Sequence, residues 1–163
     1  MTHLDTSFVV DLLREARRRK PGPAMAMRER LENEELWLSV FVVCELMAGA
    51  ELSRRPSEER QHVVAFCNAL QTAYPDEAFG RTYGRLLASL HKAGQTIGAM
   101  DLLIATAAVV DDATLVTRNQ REFSRVPGLK IASYGGDQSP GAGDRRPAGA
   151  GTVPAWKGVR PPL

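Results

Sequence analysis

Short apolar runs alternate with helical patterns along most of the chain. Apolar residues at positions 9, 12 and 13 follow Thr6 and Ser7, a spacing typical of a helix that begins at a hydroxyl cap. The apolar run at 36–40 and the β-branched run at 114–117 predict buried strands. We predict helices over residues 6–20, 25–33, 39–51, 56–71, 76–93 and 98–110, and strands before Asp5 and over residues 36–40, 114–117 and 129–132.

The order of these elements indicates the fold class. Short apolar strands separated by helices are typical of a parallel sheet that is covered on both faces. Residues 118–124 are predicted to form a loop with one helical turn, and Ser57 is the predicted N-cap of the helix that begins at Pro56. The sequence therefore predicts an α/β domain with a central parallel sheet.

The end of the chain differs from the rest in composition. Residues 134–163 hold 7 of the 14 glycines and 5 of the 10 prolines. Such a segment cannot bury enough apolar surface to offset the entropy cost of ordering it. We therefore predict a folded domain over residues 1–134 and a disordered, Gly- and Pro-rich tail over residues 135–163.

The predicted domain carries no net charge. Four basic and two acidic residues lie in residues 134–163, which leaves 17 of each sign in residues 1–133. A neutral domain does not bind nucleic acid through its bulk charge, so a polyanionic partner must meet a local basic patch. Candidate cations are Arg14, residues 17–20, Arg118 and Arg121, and a solvated helix end is an equally good explanation for the first two.

Two cysteines and the absence of a long apolar segment bear on the compartment. Cys44 and Cys67 are too few for a disulfide framework and lack metal-binding spacing, so we predict reduced core thiols. The first residues lack the basic and apolar regions of a signal peptide, and the apolar run at 102–110 is far shorter than the roughly 20 residues of a membrane span. We expect a cytoplasmic protein without membrane contact.

Three carboxylates stand alone in apolar sequence. Asp5 follows the first predicted strand, Glu45 interrupts the apolar run at 40–48, and Asp101 lies near the start of the apolar helix at 98–110. Each has a simpler explanation taken alone: helix capping for Asp5 and Asp101, and reaching out to solvent for Glu45. The shared pattern favours a cluster, because ligands bind at the carboxyl ends of parallel strands.

A carboxylate cluster needs compensation. Two carboxylates about 5 Å apart repel each other by roughly 3 kcal/mol at an effective dielectric constant of about 20. A hard divalent cation with oxygen ligands removes this cost, and the absence of nearby His or Cys ligands favours Mg²⁺ or Mn²⁺ over zinc. None of the chain's three histidines lies in a motif that suggests acid–base catalysis.

A further contributor is expected just after the strand at 114–117. Asn119 offers a neutral oxygen and Glu122 a charged one, while Thr117 can donate its hydroxyl to a neighbouring carboxylate. A turn with an Asn or Thr cap is the alternative explanation of this segment.

Four segments, taken in order, resemble the PIN-domain ribonucleases of the VapC/FitB toxin type. The resemblance covers about residues 1–134. The segments are Leu4-Asp5-Thr6-Ser7, Ser39 with Glu45-Leu46, Ile97-Gly98-Ala99-Met100-Asp101-Leu102-Leu103-Ile104-Ala105, and residues 115–129, which begin Leu115-Val116-Thr117-Arg118-Asn119.

This resemblance implies a three-layer α/β/α domain whose acidic cleft binds Mg²⁺ or Mn²⁺ and cleaves RNA. It also implies a homodimer and a cognate VapB-like antitoxin that blocks the cleft. Asp5, Glu45 and Asp101 match the three acidic positions of the family and are the implied metal ligands. Asn119 stands where many members have an acid, so we expect weaker metal contact there, with Glu122 as a substitute.

Other functions stay open at this stage. A catalytically weak PIN-domain subunit that holds an antitoxin or RNA without cutting is the main alternative, although a pure binding module has no need of three buried acids. An Mg²⁺-dependent phosphatase is disfavoured, because Asp5-Thr6-Ser7 lacks DxD spacing and the chain has no Gly-rich phosphate loop. The amphipathic stretches at 25–31 and 63–70 fit either a partner surface or the core.

Overall fold

A five-stranded sheet with helices on both faces forms the domain. The computed structural model describes residues 1–135, so the predicted tail lies outside the described residues from residue 136 on. The strands are β1 (Thr2–Leu4), β2 (Leu36–Ser39), β3 (Gln71–Ala73), β4 (Thr114–Thr117) and β5 (Lys130–Ser133). The helices are α1 (Thr6–Arg18), α2 (Pro23–Arg30), α3 (Val40–Glu51), α4 (Pro56–Asn68), α5 (Glu77–Lys92), α6 (Ala99–Val110) and α7 (Gln120–Phe123).

All neighbouring strands are parallel, in the order β3-β2-β1-β4-β5. His3 in the central strand lies in register between Trp37 and Leu115. The chain winds from β1 to β3 on one side and then crosses to β4, so the winding direction reverses between β1 and β4. Ligands of open α/β sheets bind outside the carboxyl ends of the strands at such a reversal. The residues that follow β1 and β4 therefore lie where a site is expected.

The core lies between the sheet and the helices. Leu4, Leu38 and Leu115, from three neighbouring strands, are at most 1% exposed, and Phe8 of α1 and Phe123 of α7 are fully buried. Burying each such side chain stabilises the fold by roughly 1.5–3 kcal/mol. Helix α6 buries Leu102 and five residues from Ile104 to Ala108, as its lack of a polar face predicts. The core therefore holds the start of α1 and the body of α6 firmly beside the sheet.

The predicted α/β fold with a parallel sheet is confirmed, with two local errors. Strand β3 was assigned to a helix end and a connection, whereas α4 ends at Asn68 and Gln71–Ala73 pairs with β2. Ser57 is not the N-cap of α4: the helix begins at Pro56, which suits the first helical position, and Arg55 precedes it. Met27, Val63 and Phe66 of the two amphipathic stretches belong to the core.

A tight turn joins α1 to α2. Arg19 adopts a left-handed conformation with φ of 52°, which ends α1. Gly22 and Pro23 open α2, and the carboxylate of Glu15 on α1 accepts hydrogen bonds from the backbone N–H groups of Ala24 at 3.1 Å and Met25 at 2.8 Å. Glu15 thus caps α2 from the neighbouring helix, and its charge is engaged there.

The cysteines depart from the prediction of core thiols. Cys44 is exposed on α3, so the prediction is wrong for this residue, because the apolar run at 40–48 leaves part of its surface uncovered. Cys67 is partly buried, and this burial raises the pKa of its thiol to about 11. Among the helices of residues 1–135, none is long and apolar enough to cross a membrane.

Candidate active site

Asp5 lies immediately after β1 at the carboxyl end of the sheet. Its backbone N–H donates to the carbonyl of Val116 in β4, which fixes its position between the two strands. One carboxylate oxygen, Oδ2, accepts hydrogen bonds from the hydroxyls of Ser7 at 2.5 Å and Thr117 at 2.8 Å. Oδ1 accepts none from residues 1–135, although Asp5 is only 4% exposed. Its side chain forms no cap on α1, so helix capping does not explain this residue.

Glu45 lies on α3 and is held by the start of α1. The hydroxyl of Thr6 donates to Glu45 Oε2 at 2.5 Å across 39 residues of sequence. The side chain is partly buried and bonded to the residue next to Asp5 instead of extending freely into solvent. Two consecutive residues of α1 therefore position two carboxylates. Thr6 binds the carboxylate of Glu45, and Ser7 binds the carboxylate of Asp5.

Asp101 lies in the first turn of α6, and the pKa of its carboxyl is raised to about 6. Burial is the largest cause, and the charges of Asp5, Glu45 and Glu122 add to it. The N-terminal dipole of a helix favours an ionised acid, so desolvation and like charges outweigh the dipole here. No group in residues 1–135 donates a hydrogen bond to Asp101, which excludes a capping role within that part of the chain.

The loop after β4 contributes a hydroxyl and a backbone turn. Thr117 is fully buried and donates to Asp5 as predicted, while its oxygen accepts the backbone N–H of Asn119 at 2.9 Å. The Asn119 side chain is exposed and makes no hydrogen bond within residues 1–135. Glu122 is near enough to raise the pKa of Asp101 but is paired with Arg125 at 2.9 Å.

Asp5, Glu45 and Asp101 thus occupy one neighbourhood in which their charges interact. No Lys or Arg within residues 1–135 forms an ion pair with any of the three carboxylates. In the same part of the chain, no three Asp, Glu, His or Cys side chains stand as close together as the ligands of one metal ion. The arrangement is a set of oxygen donors whose negative charge is not compensated by any ion pair within residues 1–135.

His3 belongs to the other end of α6. It is 1% exposed, and its Nε2 lies 2.8 Å from Asp111 Oδ2, beyond the last residue of α6. Burial, the largest influence, lowers the pKa of His3 despite this carboxylate. The residue is structural, in line with the expectation from the sequence.

Sequence reasoning missed the roles of three residues of α1. Thr6 and Ser7 were interpreted as helix caps, yet their hydroxyls bond the carboxylates of Glu45 and Asp5. Asp11 was not singled out, although it is 8% exposed, accepts hydrogen bonds from Arg14 and Tyr134 and forms an ion pair with Arg118. The sequence marks Asp11 in the same way as the three acids: it is a lone carboxylate among apolar residues, here those of α1.

Comparison with known proteins gives consistent matches over this region. The profile of the PIN domain matches residues 3–129. Ribonuclease VapC19 from Mycobacterium tuberculosis is 34% identical over 131 residues, which cover 80% of this chain and 98% of the relative. The tRNA(fMet)-specific endonuclease VapC from Salmonella typhimurium is 32% identical over 110 residues, which cover 66% of this chain and 83% of the relative.

A solved structure shares the same architecture. VapBC2 from Rickettsia felis, bound to a DNA fragment from its promoter, superposes with a TM-score of 0.72 at 29% sequence identity. The match covers 82% of this chain and 98% of the chain in that complex. The α/β/α arrangement of the sheet and helices is therefore that of a known group of structures.

Proposed function

The chain belongs to the PIN-domain family, and we propose that it is a VapC-like endoribonuclease toxin that hydrolyses RNA phosphodiesters with Mg²⁺ or Mn²⁺. The observation that carries the proposal is the convergence of Asp5 and Glu45 on Asp101 at the carboxyl ends of parallel strands, with a raised pKa for Asp101. Relatives that cover most of this chain carry the names of ribonucleases and endonucleases.

The donor set suits a hard divalent cation. Asp5 and Glu45 each use one oxygen to accept hydroxyl hydrogen bonds, and the other oxygen accepts none from residues 1–135. Asp5, Glu45 and Asp101 offer carboxylate oxygens, the ligand type that Mg²⁺ and Mn²⁺ prefer. We propose Asp5, Glu45 and Asp101 as the ligands, with Asn119 or Glu122 as a further oxygen. Within residues 1–135 the three carboxylates stand farther apart than the ligands of one ion, so they have to move together when the ion binds. A bound ion would supply Lewis-acid polarisation of the phosphodiester and activation of the attacking water.

The chain's own residues prepare this site. Ser7 and Thr117 fix Oδ2 of Asp5, and Thr6 fixes Oε2 of Glu45, so both free oxygens have set directions. Asp101 is ionised only above a pH of about 6, so the full donor set exists at neutral pH and is lost in acid. Water is the nucleophile of the proposed hydrolysis, and the 2′-hydroxyl of the substrate takes no part.

Partner binding is the second half of the proposal. The solved relative is a complex of a VapC-type chain with its antitoxin, which supports inhibition of this chain by a cognate VapB-like antitoxin. A homodimer is proposed from the family resemblance. Phe41 and Met47 on α3 are only partly buried and Cys44 is exposed, so this helix offers apolar surface to a second chain.

The ends of the RNA products test the proposed chemistry. Purified protein, free of antitoxin, is incubated with a panel of structured RNAs in Mg²⁺ or Mn²⁺, and the product ends are identified by mass spectrometry. Attack by water leaves 5′-phosphate and 3′-hydroxyl ends. Products with 2′,3′-cyclic phosphates would show that the 2′-hydroxyl attacks, and uncut RNA would favour a PIN-domain subunit that binds without cutting.

Gly98 is expected to be required for the placement of Asp101. A Cβ at position 98 would lie 3.1 Å from Asp101 Oδ2, tighter than ordinary contact, although φ of −57° is open to alanine. Gly98→Ala should displace the carboxylate by a few tenths of an ångström and lower kcat about 10-fold. The matched control is Gly84→Ala in α5, where an added Cβ has no neighbour within 4 Å. Equal activity of the two variants would show that Asp101 tolerates the shift.

A further inference from the structure

We propose that a basic cavity beside the acidic site binds a backbone phosphate of RNA adjacent to the one that is cut. The proposal deepens the proposed function and rests on it. The cavity has a volume of about 310 Å³ and lies between the end of α1, the turn before α2 and the loop after β4. Its charged and polar lining includes Arg14, Arg18, Lys20, Arg118, Asp11 and Tyr134.

A buried carboxylate holds two of the arginines in place. Asp11 Oδ1 accepts a hydrogen bond from Arg14 at 3.1 Å, and Asp11 Oδ2 forms an ion pair with the Arg118 guanidinium at 2.8 Å. The buried hydroxyl of Tyr134 also donates to Oδ2, at 3.0 Å. One negative charge thus orients two guanidinium groups, whose side chains are 45% and 59% exposed. Each guanidinium has five N–H donors, so most remain available to a ligand.

Two more cations in the cavity are uncompensated. Arg18 and Lys20 form no ion pair within residues 1–135. Glu15 also lines the cavity, but its carboxylate is occupied by the backbone N–H groups at the start of α2. The lining therefore has four positive charges against two negative ones, in a domain with no net charge over residues 1–133. This is the local basic patch that a neutral domain needs for a polyanion.

Arg118 connects the cavity to the acidic site. Arg118 directly follows Thr117, whose hydroxyl bonds Asp5. The backbone N–H of Arg118 donates to Ser7 Oγ at 3.3 Å, and Ser7 in turn donates to the same carboxylate. A strand of RNA with one phosphate at the acids therefore has a neighbouring phosphate within reach of this cavity.

The chemistry of the lining selects a phosphate. Planar guanidinium groups bind phosphate oxygens through paired N–H donors, and a lysine adds a compact charge. The three carboxylates repel the phosphates of RNA, except for a phosphate that contacts a cation bound between them. Affinity for the rest of the RNA strand therefore has to come from other parts of the surface. The cavity supplies this affinity by binding the adjacent phosphate, and it does not contact the scissile bond.

The test is the salt dependence of RNA binding by a charge-removal variant. Arg18→Gln with Lys20→Gln removes the two unpaired cations and leaves the contacts of Asp11 intact. Binding of a fluorescently labelled single-stranded RNA is measured by anisotropy in EDTA, which prevents cleavage. Each phosphate contact on a single strand contributes about 0.7 to the slope of log K against log salt concentration. The cavity holds one phosphate, so we expect the slope to fall by about 0.7 and the Kd at low salt to rise about tenfold.

The matched control removes the same charge from the same segment. Arg17 and Arg19 are exposed and do not line the cavity, so Arg17→Gln with Arg19→Gln should keep the wild-type slope. Equal slopes and Kd values for the two double variants would overturn the phosphate subsite, whether both match wild type or both are weakened. Cleavage of RNA by the wild-type protein in Mg²⁺ is scored separately, so the failure of the proposed function is distinguishable from the failure of this subsite.

Discussion

Asp101→Asn is expected to lower the rate of RNA cleavage at least about 100-fold, because it removes a charged ligand from the site that stabilises the transition state. The same change should raise the free energy of unfolding of the metal-free protein at pH 8 by about 1–2 kcal/mol, discounted for partial solvent exposure. Burial and the neighbouring acids disfavour the ionised form of Asp101, and this destabilises the fold. Asparagine carries no charge, so the substitution removes this effect. Cleavage assays and urea denaturation measure the two effects.

Asp112→Asn is the matched control for this substitution. The Asp112 side chain is 86% exposed, and its φ of 48° is a conformation that asparagine adopts readily. It should keep wild-type activity and nearly wild-type stability. An Asp101→Asn protein that cuts RNA at the wild-type rate would exclude Asp101 from the catalytic machinery.

A chelator is expected to abolish cleavage, and Mg²⁺ should stabilise the fold more at pH 8 than at pH 5. The pKa of Asp101 is raised from an ordinary 3.8 to about 6. Below about pH 4 this carboxyl is protonated in the folded protein and does not lower the free energy of unfolding. As the pH rises through 6 it ionises in the metal-free fold, and the free energy of unfolding falls to its lowest value above that pH. A cation bound between the acids offsets this cost, and protons compete with it in acid.

Thermal unfolding with and without Mg²⁺ measures this effect. At pH 8, Mg²⁺ at about 100 times its Kd should raise Tm by about 5 °C or more, and the shift should shrink at pH 5. Asp101→Asn should show little shift at either pH. The same shift for wild type and variant would indicate that Mg²⁺ acts somewhere else on the protein.

Much of the fold follows from pattern, but one strand does not. The strands β2 and β4 carry large apolar residues, and β1 (Thr2–Leu4) lies between them at the centre of the sheet, where all three are largely buried. Strand β3 is only Gln71–Ala73, begins with an exposed polar residue and lies at the edge of the sheet. The strand forms because its backbone pairs with β2. Three residues are too few to show a hydrophobic period, so the sequence gives no sign of it.

The acids of the site were accessible from sequence, whereas their supports were not. Asp5 and Asp101 stand out because each is a lone carboxylate in apolar sequence, Asp5 at the end of β1 and Asp101 at the start of α6. The bond between Thr6 and Glu45 joins residues 39 apart, and no local pattern specifies it. The contact between Asp11 and Arg118 likewise depends on how α1 lies against the loop after β4. The prediction that Cys44 lies in the core was wrong because only one side of the apolar helix α3 is buried, and Cys44 lies on an exposed side.

A Mn²⁺-soaked crystal of the full chain gives the most direct test of the acidic site. The anomalous difference map locates the ion independently of any assumption about its ligands. We expect one strong peak at coordinating distance from oxygens of Asp5, Glu45 and Asp101. A map with no peak there, or with ions bound only at other acidic groups of the surface, would contradict the account.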